Sequence, residues 1–249
     1  MTLQLTVSPD FSPDHIAGWY VFNTWLQRKL GLRCHLELYD DFERQHQAIA
    51  ADQVDLIFAN PYDASMLVRE RGFRSLAAPL GSSDEALIAV AQASSAHAVT
   101  DLKPGLRVAQ TKDPDVNLIG MIMLEPADLG REHVVPVPVS TYVLVAKHLL
   151  LGRVDAGFFL KQAFDDLSPT TRAQLRPLVT SQISVVRHAL LAGPRFAAHA
   201  DQLRAELLAM SQPGSDGGRV LEALGLAGWE ALEAEDTEFM IDLMEALMR

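Results

Sequence analysis

The 249-residue chain contains one cysteine, Cys34, which excludes an intrachain disulfide and a cysteine-rich metal site. Cys34 lies in Leu32-Arg33-Cys34-His35-Leu36, inside an apparent strand, and reads as a buried small hydrophobe. Positive charge is also scarce. The chain has 21 Lys and Arg against 32 Asp and Glu, a formal net charge of −11. That field repels phosphate backbones and anionic lipid, so neither nucleic acid nor a membrane surface is expected as a partner; the acidity otherwise serves solubility. Long apolar runs are missing. The stretch from Val143 to Leu151 is broken by Lys147 and His148 and falls short of the roughly 20 residues that span a bilayer. Met1 to Leu5 has neither the basic nor the apolar segment of a signal peptide. The expected compartment is therefore the cytoplasm, or the periplasm if a signal was removed.

Catalytic signatures are absent as well. The sequence has no Gly-x-Gly-x-x-Gly, Walker loop, Gly-x-Ser-x-Gly or His-Glu-x-x-His, whose spacings place phosphate cradles, nucleophiles and metal ligands. Its eight histidines (15, 35, 46, 97, 133, 148, 188 and 199) are scattered without metal-ligand spacing. His148 and His188 read as structural. No cofactor and no metal are expected, and the chain does not read as an enzyme.

What is present is a composition 49% hydrophobic and 21% charged, typical of a globular protein with a sizeable core. The first 80 residues alternate strand and helix signals. Leu3-Gln4-Leu5-Thr6-Val7 alternates with period two and stops at Ser8-Pro9-Asp10. Ser12-Pro13-Asp14 opens an amphipathic helix with Ile16, Trp19, Tyr20, Asn23 and Leu26 near one stripe, ending at Gly31. A strand over His35 to Tyr39, a helix over Asp41 to Ala51 and a buried strand over Val54 to Phe58 follow. This order implies βαβ units and a mostly parallel sheet.

The order recurs about one hundred residues later. Leu106 to Ala109 leads into Thr111-Lys112-Asp113-Pro114-Asp115, Gly130 precedes a strand over His133 to Val137, and Asp52-Gln53-Val54-Asp55 is mirrored by Gly152-Arg153-Val154-Asp155. Three correspondences in order at nearly constant spacing argue for two lobes of like topology. Ser83 to Ala91 reads as a strand crossing between them, and Gln182 to His188 as the return strand, the two forming a hinge. Helices follow over Phe196 to Met210, Gly218 to Leu224 and Thr237 to Met248. The last keeps Phe239, Met240, Leu243, Met244 and Leu247 on its apolar side, and its seven carboxylates between Glu230 and Glu245 read as a solvated face or a partner-docking one. Lobe one is expected at 1–84 plus 188–249 and lobe two at 85–187.

Four features resemble a known family: the strand end Ser8-Pro9-Asp10, the strand end Phe58-Ala59-Asn60-Pro61, the turn Asp101-Leu102-Lys103-Pro104-Gly105, and Gly152-Arg153-Val154-Asp155-Ala156. Their order is similar to that of type II periplasmic binding proteins, in the branch serving phosphate, phosphite and phosphonate uptake. The resemblance implies an α/β fold of two lobes, each a mixed, mostly parallel sheet flanked by helices, with two crossover strands as hinge. It implies a solute-binding protein that holds its ligand in the interlobe cleft and closes its lobes on it. Certain cofactor-biosynthesis enzymes of the menaquinone and thiamin-pyrimidine pathways share the fold, so an enzyme or a cytoplasmic ligand sensor remains the alternative. The chain departs from the family at two places. The Asp-Pro pair is usually followed by a Ser/Thr-rich run whose hydroxyls and amides hold the oxyanion, whereas Asp115-Val116-Asn117-Leu118-Ile119-Gly120 follows Asp113-Pro114 here. Tyr142 stands where the family often has a histidine.

Ligands of open α/β sheets lie at the carboxyl ends of the strands. This places Ser8, Asp10, Phe11, Tyr39, Asn60 and Tyr62 as candidates in lobe one, and Thr111, Asp113, Asp115, Asn117, Ser140, Thr141 and Tyr142 in lobe two. Ser12, Asp113 and Ser140 read equally as helix N-caps, and Asp10 and Asp40 as water-exposed turn formers. Asp55 and Asp155 read as structural strand-starters. Asp10, Asp63, Asp113 and Asp115 against one nearby Lys112 point to a zwitterionic or amine-bearing ligand in place of a plain oxyanion. The expected partners are a small organic or oxyanion-bearing molecule and an ABC-transporter permease, with the chain itself a monomer.

Overall fold

A computed structural model describes residues 2–11, 15–81, 84–183 and 186–248, with side chains through residue 243. The chain divides into two compact units: Met1–Ser83 with Arg187–Glu245, and Asp84–Val186 with the last residues of the chain.

The first unit is built on a six-stranded sheet. Its strands are β1 (Leu3–Val7), β2 (Cys34–Leu38), β3 (Leu56–Ala59), β4 (Arg74–Pro79), β10 (Ala189–Ala192) and β11 (Trp229–Ala231), in the order β11-β4-β10-β3-β1-β2. Strand β1 pairs in parallel with β2 and β3, while β10 is antiparallel to both β3 and β4. The second unit carries β5 (Ala86–Ala91), β6 (Leu106–Gln110), β7 (Val134–Pro138), β8 (Ala156–Leu160) and β9 (Leu175–Thr180), in the order β7-β6-β8-β5-β9. There β6 is parallel to β7 and β8, and β5 is antiparallel to β8 and β9. The run β2-β1-β3-β10-β4 therefore matches β7-β6-β8-β5-β9 position for position and direction for direction. The reversed strand of the first sheet, β10, follows the other strands of this run in the chain, whereas that of the second, β5, precedes them.

Helices cover the sheet faces. In the first unit these are α1 (Ile16–Leu30), α2 (Phe42–Ala50), α3 (Pro61–Arg71), α8 (Ala197–Ala209), α9 (Gly218–Leu224) and α10 (Ala234–Met248); in the second, α4 (Pro114–Ile122), α5 (Tyr142–Leu150), α6 (Lys161–Asp165) and α7 (Pro169–Arg172). One core of the first unit joins α1, α8 and α9 to the sheet through Phe22, Trp25, Leu203 and Leu221. The other joins α2, α3 and α10 through Ile49, Leu67 and Met240. In the second unit α5 and α6 pack Val145, Leu149 and Phe164 on Phe159. Each fully buried aromatic or leucine contributes roughly 2–3 kcal/mol.

Several sequence expectations change. Helix α1 buries Gly18, Trp19, Phe22, Asn23, Trp25 and Leu26, whereas Ile16 and Tyr20 are exposed. The inward stripe is rotated because Gly18 meets α9: a methyl group there would lie 2.1 Å from the Ala223 carbonyl oxygen. The proposed opening of this helix at Ser12 to Asp14 lies outside the described residues. The described residues of the expected return strand, Gln182 to His188, do not form one; 184–185 lie outside the described residues. The flanking stretches form β9 and β10 instead, because the apolar run Ala189-Leu190-Leu191-Ala192 fills the fully buried centre of the first sheet. Residues 182–183 and 186–188 have no regular structure. Phe239 is exposed on α10, and Met240 with Ile241 takes the inward place. The acidic C-terminal stretch is paired as well as solvated, with Arg69 on Glu238 and Asp242 and Arg204 on Glu233. Cys34 is buried, and burial pushes its thiol up to about 12.

The two Val-Asp repeats share one structural role. The Asp55 carboxylate accepts the Gln4 amide at 2.8 Å while the Asp55 amide donates to the Gln4 carbonyl at 2.9 Å. Asp155 does the same with Arg107, at 3.0 and 2.9 Å. Each aspartate thus clamps the foot of the third strand to the first. An arginine completes each clamp, Arg195 on Asp55 at 2.6 Å and Arg107 on Asp155 at 2.7 Å. The Asp55 side chain is 2% exposed against 44% for Asp155. Removing the buried carboxylate strands its amide partner, so Asp55→Ala is expected to cost about 3 kcal/mol, and the solvent-screened Asp155→Ala about 1 kcal/mol. Urea unfolding measures both, and equal losses would refute the burial argument. Gly18→Ala is expected to lose about 1–3 kcal/mol by overpacking the α1–α9 contact, read by the same method.

Candidate functional site

In the first unit the carboxyl ends of β1 and β3 carry a connected polar network. The Ser8 amide donates to the Phe58 carbonyl at 2.8 Å, which sets the two strand ends side by side. Asn60 caps α3, its side-chain oxygen accepting the Asp63 amide at 2.8 Å, with Pro61 supplying the fixed φ of the first helical position. The Asn60 amide group donates to Ser8 Oγ at 3.1 Å and to Asp63 Oδ2 at 3.3 Å. Asp63 Oδ1 meets His46 Nε2 on α2 at 2.6 Å. Ser8, Asn60 and Asp63 are fully buried.

Asp10 extends the network. Its carboxylate is 2% exposed and lies 3.1 Å from His188 Nε2, so it is not the water-exposed turn former that its Pro-Asp context suggests. His188 itself stacks on Phe58, ring centroids 5.1 Å apart. Burial alone would raise the Asp10 carboxyl, but the nearby His188 charge and hydrogen bonds from His188 and Ser8 outweigh it and hold the group below its ordinary range. The hydrogen bond from His46 to Asp63 raises the His46 imidazole, against the opposing effect of partial burial.

Three further candidates belong to this unit. Tyr39 turns back along the sheet, its hydroxyl 3.4 Å from the Gln4 side-chain amide. It lines a cavity of about 570 Å³ between β2 and α2, with Glu37, Asp40, Arg44 and Gln47. Phe11 packs against the core beneath α1. Tyr62 is half-buried in the first turn of α3.

In the second unit the site-bearing element is α4. Asp113 caps it, one carboxylate oxygen accepting the amides of Asp115 and Val116 at 3.1 and 3.2 Å. The other oxygen accepts the Tyr142 hydroxyl at 2.7 Å, and Tyr142 stacks on Phe159. Thr111 supports the turn through Asn117, whose amide reaches the Thr111 carbonyl at 2.9 Å. Asp113 and Asp115 are buried, while Lys112 is exposed. Ser140 is not the cap of α5. Thr141 is, accepting the Leu144 amide at 3.2 Å from the extended backbone position just before the helix. Both residues are exposed.

Sequence reasoning thus missed His46 and His188. Their partners lie 17 and 178 residues away, so no local spacing could show them. Because the Asp10 carboxyl is depressed on folding, its stabilisation is present above the ordinary carboxyl value of about 4 and is lost as pH falls through the lower folded value. His188→Gln is expected to raise the Asp10 pKa and move the acid-unfolding midpoint to higher pH, as followed by circular dichroism. An unchanged midpoint would show that the pair does not hold Asp10.

Residues 5–237 match the Phosphonate-bd family, described as ABC transporter, phosphonate, periplasmic substrate-binding protein. No curated protein matches the chain. Among solved structures, PhnD1 from Prochlorococcus marinus (MIT 9301) in complex with methylphosphonate is 13% identical with a TM-score of 0.83, covering 99% of this chain and 98% of that one. XAC2383 from Xanthomonas citri bound to chloride ion is 17% identical with a TM-score of 0.82, covering 100% and 98%. The aliphatic sulphonate binding protein SsuA from Escherichia coli is 15% identical with a TM-score of 0.67, covering 98% and 87%. These likenesses concern the fold. Among the described residues no helix is long and apolar enough to cross a membrane. The match over residues 5–237 is what assigns the family: the chain belongs to the periplasmic substrate-binding proteins of phosphonate ABC transporters, and its function is solute binding.

Proposed function

We propose that the protein is a periplasmic receptor that captures a small polar ligand bearing an ammonium group and delivers it, chemically unchanged, to an ABC-transporter permease. The observation that carries this reading is the N-terminus of α4. Backbone amides at a helix N-terminus ordinarily offer an anion both hydrogen bonds and the positive end of the dipole. Here the Asp113 carboxylate takes the amides of Asp115 and Val116, and the Asp115 side chain adds a second buried carboxylate. An incoming oxyanion meets a carboxylate where it needs donors. An ammonium group meets acceptors.

The remaining strand-end residues suit a polar ligand. We assign Ser8, Asn60 and Asp10 of the first unit, and Thr111, Asp113, Asp115, Asn117 and Tyr142 of the second, to ligand binding. Family membership supports the periplasmic setting, the permease partner and the absence of turnover. The methylphosphonate carried by the Prochlorococcus protein marks organophosphonates as the compound class from which to begin.

Calorimetric titration tests the reading with phosphate, methylphosphonate and 2-aminoethylphosphonate. The amine-bearing compound is expected to bind at least about tenfold more tightly than methylphosphonate, a difference of about 1.4 kcal/mol. Asp115→Asn is expected to erase that preference without unfolding the chain. Equal or tighter binding of phosphate or methylphosphonate would overturn the proposal. So would recovery of a chemically altered ligand, read by mass spectrometry.

A further inference from the structure

We infer that His46, outside the strand ends and on the surface of α2, is a positioning residue that orients the donors at the carboxyl ends of β1 and β3. The inference rests on the ligand-binding role proposed above for Ser8 and Asn60.

The geometry forms a continuous chain of hydrogen bonds in which the Asp63 carboxylate accepts from both sides. His46 is 38% exposed and Asp63 0% exposed; they meet at 2.6 Å through Nε2 and Oδ1. The second Asp63 oxygen accepts from the Asn60 amide at 3.3 Å, and the same amide group donates to Ser8 Oγ at 3.1 Å. Asn60 Oδ1 is held by the Asp63 backbone amide at 2.8 Å, so both polar ends of the Asn60 side chain are fixed through residue 63. Because Ser8 Oγ already accepts from Asn60, its own proton points elsewhere, and it serves Asp10. Asp63 thus accepts from His46 on one side and Asn60 on the other, and from Asn60 the donors run on through Ser8 to Asp10.

Asp63 has given up its water, and a carboxylate buried to this degree needs partners of opposite charge or strong donors. Among the described residues, the charge acting on His46 is that of Asp63 from α3. The Phe42 ring of α2 also lies near it, with centroids 6.2 Å apart. When His46 loses its proton, the ring can still donate from Nε2, but the bond loses its charge assistance, which supplies about half of such a bond's strength. The carboxylate then leans harder on the Asn60 amide, and the Asn60–Ser8 contact adjusts.

The experiment uses the full chain, first without ligand. In a pH series of proton–nitrogen correlation spectra, the Asn60 side-chain amide is expected to shift with the midpoint of the His46 ring. In His46→Gln that midpoint is expected to vanish from the Asn60 signal while thermal unfolding and spectral dispersion stay native-like. His188→Gln is expected to leave the midpoint in place, since His188 enters the network from the other end. An Asn60 signal blind to His46 titration, or one unchanged in His46→Gln, would overturn the inference. Calorimetry with 2-aminoethylphosphonate then supplies the binding readout. Affinity is expected to fall by about 5-fold or more across the His46 titration in the native chain, on the scale of typical site-to-site coupling, and to lose that dependence in His46→Gln. A pH-independent affinity in the native chain would refute the positioning role. If the compound binds at no pH, the proposed ligand class fails, and the Asn60 signal still decides whether His46 controls the strand ends.

Discussion

Parallel strands have no tight turn between them to fix their register, so something else must decide which residue of one faces which residue of the next. In both units of this protein that decision falls to an aspartate at the foot of the third strand. Asp55 exchanges two hydrogen bonds with Gln4, and Asp155 exchanges two with Arg107. With β3 held at that register against β1, Ser8 and Phe58 come level at the opposite end, and the polar network of the first unit can form. A slip of one residue would turn Thr6 and Val7 to the wrong faces and carry Ser8 away from Asn60. The carboxyl end of each sheet is thus set by a residue at its other end.

The same aspartates explain why so much of the fold was legible in the sequence. Period-two alternation marks β1, and the repeated Val-Asp marks the foot of β3 and β8, so the duplication could be read before any contact was known. The internal symmetry is closer than the sequence suggests, since even the reversed strand occupies the same place in each sheet. That strand was also where the reading failed. Residues 182–188 carry β-branched side chains and were read as the crossing, yet the sheet takes up the shorter apolar run 189–192. Burial at the centre of a sheet outweighed local β propensity. Helix α1 failed for a related reason. Its amphipathic stripe was read from apolar residues alone, but Gly18 decides the face by letting α9 approach to backbone distance.

The candidate site was legible only in part. Strand-end residues such as Ser8, Asn60 and Asp113 follow from topology, because loops after parallel strands gather at one edge. Their cooperation does not follow. Asn60 and Asp113 look alike in sequence as cap-forming residues before a proline, and both do cap helices. They then diverge. Beyond the cap, Asn60 has an amide group that donates to Ser8 and Asp63, whereas Asp113 has a second acceptor that receives the Tyr142 hydroxyl. The histidines carry no sequence signal at all, since each finds its carboxylate through the fold.

This contrast bears on how the family scaffold can change its ligand. A helix N-terminus is a general anion site, and the cheapest way to cancel it is to place a carboxylate in its own cap, where it satisfies the same amides that an oxyanion would use. No strand needs to move, because the change is confined to the turn between β6 and α4. Asp115, two residues later in the first turn of α4, then adds charge without disturbing the cap. In the first unit the carboxylates Asp10 and Asp63 are each paired with a histidine, with the Asn60 amide and Ser8 hydroxyl beside them. The two strand-end sets are therefore chemically unequal despite their common topology. The proposed preference for a ligand with a cationic end rests on that inequality, and not on any residue kept in place by the duplication.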